Sequence, residues 1–319
     1  MQQKKQFLSI LPEELQTRFL EHTIAYDSLQ ELRLRIQKPV MVRQRGRESF
    51  LADRGGITEQ VRDAYILTKK AMRDMLEFIS GYSLYAFEEE IKQGYLTIQG
   101  GHRIGIAGRV IIQDGCVKNI KNITCLNVRI AHEIKNCADV LMPWVMKNGM
   151  PCHTLLVSPP RGGKTTLLRD LVRQLSDGSR NHEGVSVGLV DERSEIAASY
   201  LGIPQNDVGI RTDVLDGCPK AEGMHMLIRS MSPQVIAVDE IGTAEELEAM
   251  RYAMYSGCIL LATVHGESYE QLLRKPVLSQ MLKEQFFERI VILEGYMGRG
   301  RIKQIYCADE DSLYKVAAL

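Results

Sequence analysis

A segment in the middle of the chain has the residue types that bind phosphate groups. It consists of Ser158, Pro159, Pro160, Arg161, Gly162, Gly163, Lys164, Thr165 and Thr166. An apolar run at residues 153–157 precedes it and predicts a strand, and a helical pattern of leucines follows it. The glycines permit a tight turn, Lys164 supplies a point charge for the β- and γ-phosphates, and Thr165 supplies a hydroxyl ligand for Mg²⁺. We therefore predict a phosphate-binding loop that holds ATP with Mg²⁺.

The first position of this loop departs from the usual pattern GxxxxGK[ST], because Ser158 stands where glycine is expected. A serine is acceptable there if its backbone angles are ordinary, and the two prolines that follow can preset the loop. The alternative is a glycine-glycine-lysine turn that precedes a helix by chance. The register of strand, lysine, paired threonines and helix favours the phosphate-binding loop.

Two acidic residues follow the apolar strand predicted at residues 235–238. Asp239 is placed to hold Mg²⁺ through water, and Glu240 is placed to orient or deprotonate a water that attacks the γ-phosphate. Kinases that phosphorylate small molecules often lack this second acid. The pair therefore favours ATP hydrolysis over phosphate transfer.

Polar residues also end two other predicted strands. The strand at residues 258–264 ends in Thr263, Val264 and His265, which predicts a sensor of the γ-phosphate, although a lone histidine is commonly an ordinary surface or core residue. The strand at residues 185–190 leads into an acidic segment, Asp191 to Glu195. We expect Glu195 near the site, whereas Asp191 and Glu192 fit equally well the solvated start of a helix.

Around these residues the chain changes its pattern. We predict an α/β architecture with two domains, a smaller mixed α+β domain at residues 1–135 and an ATPase domain at residues 136–319. Strands that alternate apolar and polar residues, a helix at residues 58–80 ended by Gly81, and an Asp114-Gly115 hairpin are expected in the first. A further helix is expected at residues 136–148. The second domain has unbroken apolar strands, which indicate a mainly parallel sheet buried on both faces.

The composition limits the other functions that the chain could have. Its 319 residues contain 40 basic and 40 acidic side chains, and 6% of the residues are aromatic, which counts against nucleic acid as a partner. The longest apolar run, residues 258–264, is far shorter than the ~20 residues of a membrane-spanning helix. The seven cysteines lack paired spacing, which predicts reduced thiols in a cytoplasmic protein.

The order of these motifs resembles the secretion ATPases of type II and type IV secretion and pilus machines. Those proteins carry a phosphate-binding loop, an acidic box, a Walker B strand and a histidine box in this order. The acidic box is matched by Asp191 to Glu195, and the histidine box by Thr263 to His265. One departure is Asp239, since many secretion ATPases have glycine at that position.

A closer resemblance is to the stage III sporulation protein AA family. The matching stretches are the Ser-Pro-Pro start of the loop, residues 191–196, residues 101–109, and residues 202–215, which read GIPQNDVGIRTDVL. The resemblance runs from about Glu31 to Leu293. The last stretch is specific, because generic phosphate-binding-loop proteins do not carry it.

The resemblance implies a RecA-like ATPase core and a homo-hexameric motor. It further implies docking to membrane-anchored components of a channel between mother cell and forespore, on the cytoplasmic face of the mother-cell membrane. By analogy with secretion ATPases, an arginine of the first domain completes the site. The candidates are Arg103, Arg109 and Arg129, with Arg211 from the second domain, and each could instead be a solvated residue. A nucleic-acid-dependent ATPase and a nucleotide-gated scaffold with little turnover remain alternatives.

Overall fold

The computed structural model describes residues 2–21, 24, 26–79, 91, 94–180, 182–295, 300–308 and 314–316. The chain divides into two compact units, Met1–His132 and Glu133–Leu319. Each unit contains its own sheet. None of the described helices combines the length and the apolar character that crossing a membrane requires.

The N-terminal unit is built on a seven-stranded antiparallel sheet with strand order β4-β3-β2-β1-β7-β6-β5. Alternate residues such as Leu32 and Leu34 are fully buried, so one face of the sheet lies in the core. The strands are β1 Leu29–Arg35, β2 Met41–Gln44, β3 Arg47–Leu51, β4 Ile57–Thr58, β5 Tyr95–Thr97, β6 Arg103–Gln113 and β7 Cys116–Arg129. The helices described in this unit are α1 Gln2–Ser9, α2 Glu13–Glu21 and α3 Lys69–Ile79.

The predicted hairpin at Asp114-Gly115 is confirmed, since these residues join β6 to β7. Their positive φ angles of 52° and 77° are those of a two-residue turn that matches the twist of the strands. Further along the ribbon the pairing register shifts between Ala107 and Arg109. Gly108 is required at this bulge, because a Cβ there would lie 2.8 Å from the carbonyl oxygens of Lys121 and Asn122.

The helix predicted at residues 58–80 is wrong in its first half. The described helix α3 begins only at Lys69, after the strand β4 and a bridge between Pro39 and Ile66. Its start is fixed by Thr68, whose hydroxyl accepts the Ala71 N–H at 3.0 Å. Tertiary strand pairing therefore overrides the helical periodicity of the preceding residues, and the predicted stop at Gly81 lies outside the described residues.

The helix predicted at residues 136–148 is also wrong. Only α4, Met142–Val145, is helical, with Pro143 in its first turn. The chain then forms a small hairpin of β8 Met146–Lys147 and β9 Met150–Pro151. Asn148 and Gly149 turn this hairpin at positive φ angles of 53° and 80°, which a helix cannot contain.

The C-terminal unit is built on an eight-stranded sheet with strand order β12-β11-β13-β14-β10-β15-β16-β17. The six strands from β12 to β15 are parallel, and β16 and β17 are added antiparallel. The strands are β10 Thr154–Ser158, β11 Val187–Asp191, β12 Thr212–Asp216, β13 Val235–Val238, β14 Ile259–His265, β15 Arg289–Leu293, β16 Ile302–Ala308 and β17 Tyr314–Val316. This sheet is the mainly parallel one that the unbroken apolar runs predict.

Helices on the two faces of this sheet complete the core. They are α5 Lys164–Asp177, α6 Lys220–Met231, α7 Ala244–Tyr255, α8 Tyr269–Leu273 and α9 Pro276–Lys283. Neighbouring residues of β10 belong to opposite clusters, because Leu155 and Val157 pack with α6 and α7 whereas Leu156 packs with α5. Both faces of the strand are buried, which explains why its sequence is apolar without alternation.

Candidate functional site

The phosphate-binding loop connects β10 to α5. Gly163 precedes the helix at a φ of 94°, and its position is not capped by any side chain. The first amides of α5 are therefore free of a side-chain acceptor, and the helix dipole places partial positive charge at the same point. This arrangement is the one that binds an anion such as a phosphate group.

Ser158 has a structural place in this loop. Its side chain is fully buried, and its hydroxyl donates to the Pro159 carbonyl at 2.8 Å. A Cβ placed on Gly162 would lie 2.0 Å from the Ser158 Oγ and 3.1 Å from the carbonyls of Pro159 and Glu294. Ser158 therefore fills the space beside Gly162, and a Cβ at position 162 would force the serine hydroxyl or the loop to move.

The start of α5 brings the predicted lysine to the predicted acid. Lys164 is buried, and its Nζ donates to Glu240 Oε1 at 2.6 Å. His265 joins the same group, since its Nε2 lies 2.8 Å from Glu240 Oε1 and 3.3 Å from Lys164 Nζ. The pairing of β10 with β14, which sets Ser158 opposite His265, brings these strand ends together.

Glu240 has an unusual backbone and a charged surrounding. Its φ of 54° lies in the left-handed region, and its N–H donates to the Thr263 hydroxyl at 2.9 Å. Burial on its own would raise the pKa of Glu240. The hydrogen bond and charge of Lys164, together with the charges of His265 and Arg193, instead hold this pKa below its usual value. Glu240 is therefore an ionised carboxylate at neutral pH.

Asp239 is held between two hydroxyl groups. Thr165 donates to its Oδ2 at 2.9 Å, and the fully buried Thr263 donates to its Oδ1. Thr263 thus links both acids of the strand end, because the same hydroxyl accepts the Glu240 N–H. The oxygens of Thr165 and Asp239 are the hard ligands that Mg²⁺ takes, and they converge beside the loop.

The acidic segment after β11 divides into different roles. Asp191 is buried and accepts the N–H groups of Glu195, Ile196 and Ala197 at 2.8–3.0 Å, so it shapes the following loop. Glu192 is exposed and pairs with Lys220. Glu195 lines a small cavity together with Asp239 and Glu240, the two acids that follow β13.

Arg193 is a site residue that the sequence reasoning missed. Its guanidinium Nη1 lies 3.0 Å from Glu240 Oε2, although its side chain is 64% exposed. The parallel pairing of β11 with β13 brings the turn that carries Arg193 to the acidic strand end. The signal was available in principle, because Arg193 stands two residues after a strand that ends at the same sheet edge.

A second cavity borders the phosphate-binding loop, and its volume is about 410 Å³. Its walls include the exposed apolar side chains of Ile134 and Val140, with Cys137 between them in sequence. Burial raises the pKa of Cys137 to about 11, so this thiol is neutral at neutral pH. The remaining lining residues are Arg161, Gly163, Thr166, Leu167, Gly300 and Arg301.

The four arginines that were candidates for completing the site are exposed or contact other groups. Arg103 stacks its guanidinium 3.6 Å from the centroid of the Tyr95 ring, and Arg109 and Arg129 are exposed on β6 and β7. These three belong to the N-terminal unit. Arg211 donates to the carbonyls of Ser176 and Asp177 at 2.9 and 3.3 Å, at the end of α5 opposite the phosphate-binding loop.

A family model and a curated relative both match this chain over most of its length. A family model described as "Sporulation stage III, protein AA" matches residues 1–313. The stage III sporulation protein AA of Bacillus subtilis (strain 168) is 42% identical over 291 residues, which cover 91% of each protein.

Two solved structures share the fold at low identity. The ATPase DotB of Legionella pneumophila has a TM-score of 0.54 at 15% identity, with 91% of this chain and 76% of that chain covered. The pilus retraction motor PilT, solved with bound ADP, has a TM-score of 0.53 at 14% identity, with 91% and 78% covered. The predicted fold class is thus confirmed: a RecA-like phosphate-binding-loop fold preceded by a smaller mixed domain.

Proposed function

The chain belongs to the stage III sporulation protein AA family, and from this premise we propose that it hydrolyses ATP to ADP and phosphate. The observation that carries the proposal is the convergence of four side chains at one sheet edge. Lys164 and Thr165 begin α5, and Asp239 and Glu240 follow β13. Lys164 donates to Glu240 at 2.6 Å, and Thr165 donates to Asp239 at 2.9 Å. A cation for phosphate, a metal-ligand pair and an ionised base are the parts that phosphoryl transfer to water requires.

From these contacts we propose a role for each residue in the reaction. When ATP binds, the Lys164 ammonium leaves Glu240 and takes the β- and γ-phosphates, which the uncapped amides of the loop also hold. Glu240 Oε1 then accepts a proton from the water that attacks the γ-phosphate. His265 and Glu195 line this position, and we assign them the contact with the γ-phosphate and the orientation of the water, respectively.

The residues beside the loop fit a magnesium ion. Thr165 and Asp239 would hold it, the first directly and the second through water, since a hydroxyl and a carboxylate are ordinary Mg²⁺ ligands. When bound, the ion neutralises charge on the phosphate oxygens. Thr263 keeps Asp239 oriented, because its buried hydroxyl donates to that carboxylate.

We assign the nucleotide base to the second cavity. The residues assigned to the γ-phosphate lie at the ends of β13 and β14, on one side of β10 in the sheet order, whereas Arg301 of this cavity directly precedes β16, on the other side. Its apolar wall at Ile134 and Val140 suits a purine ring, and Arg301 can stack on it. The wall is held to α5, because the Ala138 N–H donates to the buried Asp170 at 2.8 Å.

The family relationship also suggests a wider setting for the protein. We propose a homo-hexameric, cytoplasmic motor that docks on membrane-anchored components of the channel between mother cell and forespore. The family relationship and the secretion-ATPase-like fold support this setting. In the oligomer an arginine of a neighbouring chain, Arg103 or Arg109, would stabilise the charge of the transition state.

The Glu240→Gln variant tests the catalytic assignment. The change keeps the size of the side chain and removes the base, so we expect turnover to fall by about 10²-fold or more while the Kd for ATP stays within roughly threefold. Phosphate release and equilibrium binding are measured on the full chain with Mg²⁺. The matched control is Glu245→Gln, an exposed acid at the start of α7 that should change neither quantity.

Two outcomes would contradict the proposal. Unchanged hydrolysis in Glu240→Gln would remove Glu240 from the reaction. Unchanged ATP binding in Lys164→Ala would remove the loop from nucleotide binding, because the buried ammonium is the charge that the phosphates would meet.

A further inference from the structure

We propose that Arg193 is a positioning residue for Glu240, and that it holds this carboxylate in place while Lys164 serves the phosphates. This role rests on the proposed hydrolysis of ATP by the same site. Arg193 contacts Glu240 through Nη1 at 3.0 Å and touches neither the loop nor Asp239 among the described contacts.

The two oxygens of Glu240 are divided between different partners. Oε1 meets Lys164 at 2.6 Å and His265 at 2.8 Å, whereas Oε2 meets Arg193. A nucleotide draws Lys164 away, because that ammonium is the loop's point charge for phosphate. Oε1 then becomes available to the attacking water, and Oε2 keeps its partner.

Without Arg193, a Glu240 side chain that has lost Lys164 would be free to rotate once His265, its other partner at 2.8 Å, contacts the γ-phosphate as we assign. The backbone at this residue is already fixed by its left-handed φ of 54° and by the hydrogen bond to Thr263. The side chain is the remaining freedom, and a charge-assisted hydrogen bond to one oxygen restricts it. Arg193 therefore determines where Oε1 points at the moment of attack.

The turn that carries Arg193 is itself held firmly. Asp191 accepts three backbone N–H groups from the residues that follow the turn. Ser194, at a φ of 51°, donates its hydroxyl to Asp216 at 2.6 Å on the neighbouring strand. Arg169 of α5 donates to the carbonyls of Glu195 and Ile196, which ties the same segment to the helix of the loop. A residue that orients a catalytic group needs such a rigid base.

The neighbouring acids leave Arg193 available to Glu240. Glu192, the adjacent residue, is taken by Lys220, which also pairs with Glu246 at 3.1 Å. The turn thus directs Arg193 to Glu240, and the ion pair joins an exposed guanidinium to a partly buried carboxylate.

The experiment compares Arg193→Ala, Arg193→Lys and wild type in the full chain at saturating ATP. For Arg193→Ala we expect kcat to fall by roughly 10- to 100-fold, because a misplaced reacting group costs this much, while KM and the Kd for ATP stay within about threefold. Arg193→Lys should recover part of kcat, since it keeps the charge but not the planar fork. The control is Arg180→Ala, an exposed arginine beyond the far end of α5.

A double-mutant comparison separates positioning from direct contact with the nucleotide. If Arg193 acts through Glu240, Arg193→Ala should cause little further loss in the Glu240→Gln background. An equal further loss there, a raised KM at unchanged kcat, or wild-type turnover in Arg193→Ala would each overturn the inference. If wild type itself fails to hydrolyse ATP, the proposed function falls and the inference falls with it, whereas a silent Arg193→Ala in an active, Glu240-dependent enzyme refutes the inference alone.

Discussion

At the scale of single residues, the loop carries an unusual pair, Ser158 and Gly162. In the common pattern glycine occupies the first position, and here serine does. The structure shows what the serine does: its hydroxyl bonds to Pro159 and its side chain fills the space that a Cβ on Gly162 would need. The two positions are therefore coupled.

This coupling predicts the behaviour of two variants. Gly162→Ala should weaken ATP binding by about tenfold or more, because its methyl group meets Ser158 Oγ and displaces the loop. Gly162→Ala combined with Ser158→Gly should recover part of the affinity, since the shortest contact, 2.0 Å, is removed while two carbonyls at 3.1 Å remain. Equilibrium binding of ATP measures both variants. Equal affinities of the single and double variants would show that the residues are independent.

The placement of much of the candidate site could be predicted at this scale, because the sequence signal for these residues is local. Lys164, Thr165, Asp239 and Glu240 follow directly from a strand end or a helix start, and parallel strands bring such ends to one edge. Arg193 could not be assigned a partner, because its contact with Glu240 depends on which strand lies next to β11. The periodicity of the strands does not predict their order in the sheet.

At the scale of elements, the errors of prediction share one cause. The residues 136–148 have a helical pattern, yet turns at residues 137–141 and the hairpin of β8 and β9 replace most of the helix. Their ends are held by tertiary contacts, such as the hydrogen bond from Ala138 to Asp170 of α5. Local periodicity cannot anticipate a partner that lies 32 residues away in the sequence. The core strands were therefore easier to predict than these helices.

The loop after β11 gives a pH-dependent prediction. Burial raises the pKa of Asp191 to about 6, although three backbone N–H groups favour the ionised form. A folded-state pKa above the unfolded value means that the contribution to stability is complete below pH ~4 and is lost as the pH rises through about 6. The loss amounts to at most about 3 kcal/mol.

Asp191→Asn should remove this dependence. The variant loses part of the hydrogen bonding, so we expect it to be less stable than wild type, and the difference should shrink between pH 4 and pH 7. Urea unfolding followed by the fluorescence of Trp144, the single tryptophan of the chain, reports the C-terminal unit. A difference in stability that is constant with pH, or grows as the pH rises, would contradict the assigned shift.

At the scale of the whole molecule, the question is whether one chain contains a complete site. The described C-terminal unit supplies the lysine, the acids and the metal-ligand pair. Its Arg193 is paired with the Glu240 carboxylate. The arginine candidates on β6 and β7 belong to the N-terminal unit. If a neighbouring chain supplies the arginine, turnover depends on assembly as well as on nucleotide binding.

This dependence can be measured directly. We expect turnover per chain to fall on dilution by up to roughly 10³-fold as oligomers dissociate, because a missing arginine at the transition state costs that much or more. ATP binding should persist in the monomer, since the loop and its partners lie in one unit. Mass photometry on the same samples gives the oligomeric state, and one of the two variants Arg103→Ala and Arg109→Ala should assemble but turn over slowly. A monomer with full turnover would show that each chain carries its own complete site, and the proposed contribution of a neighbouring arginine would be wrong.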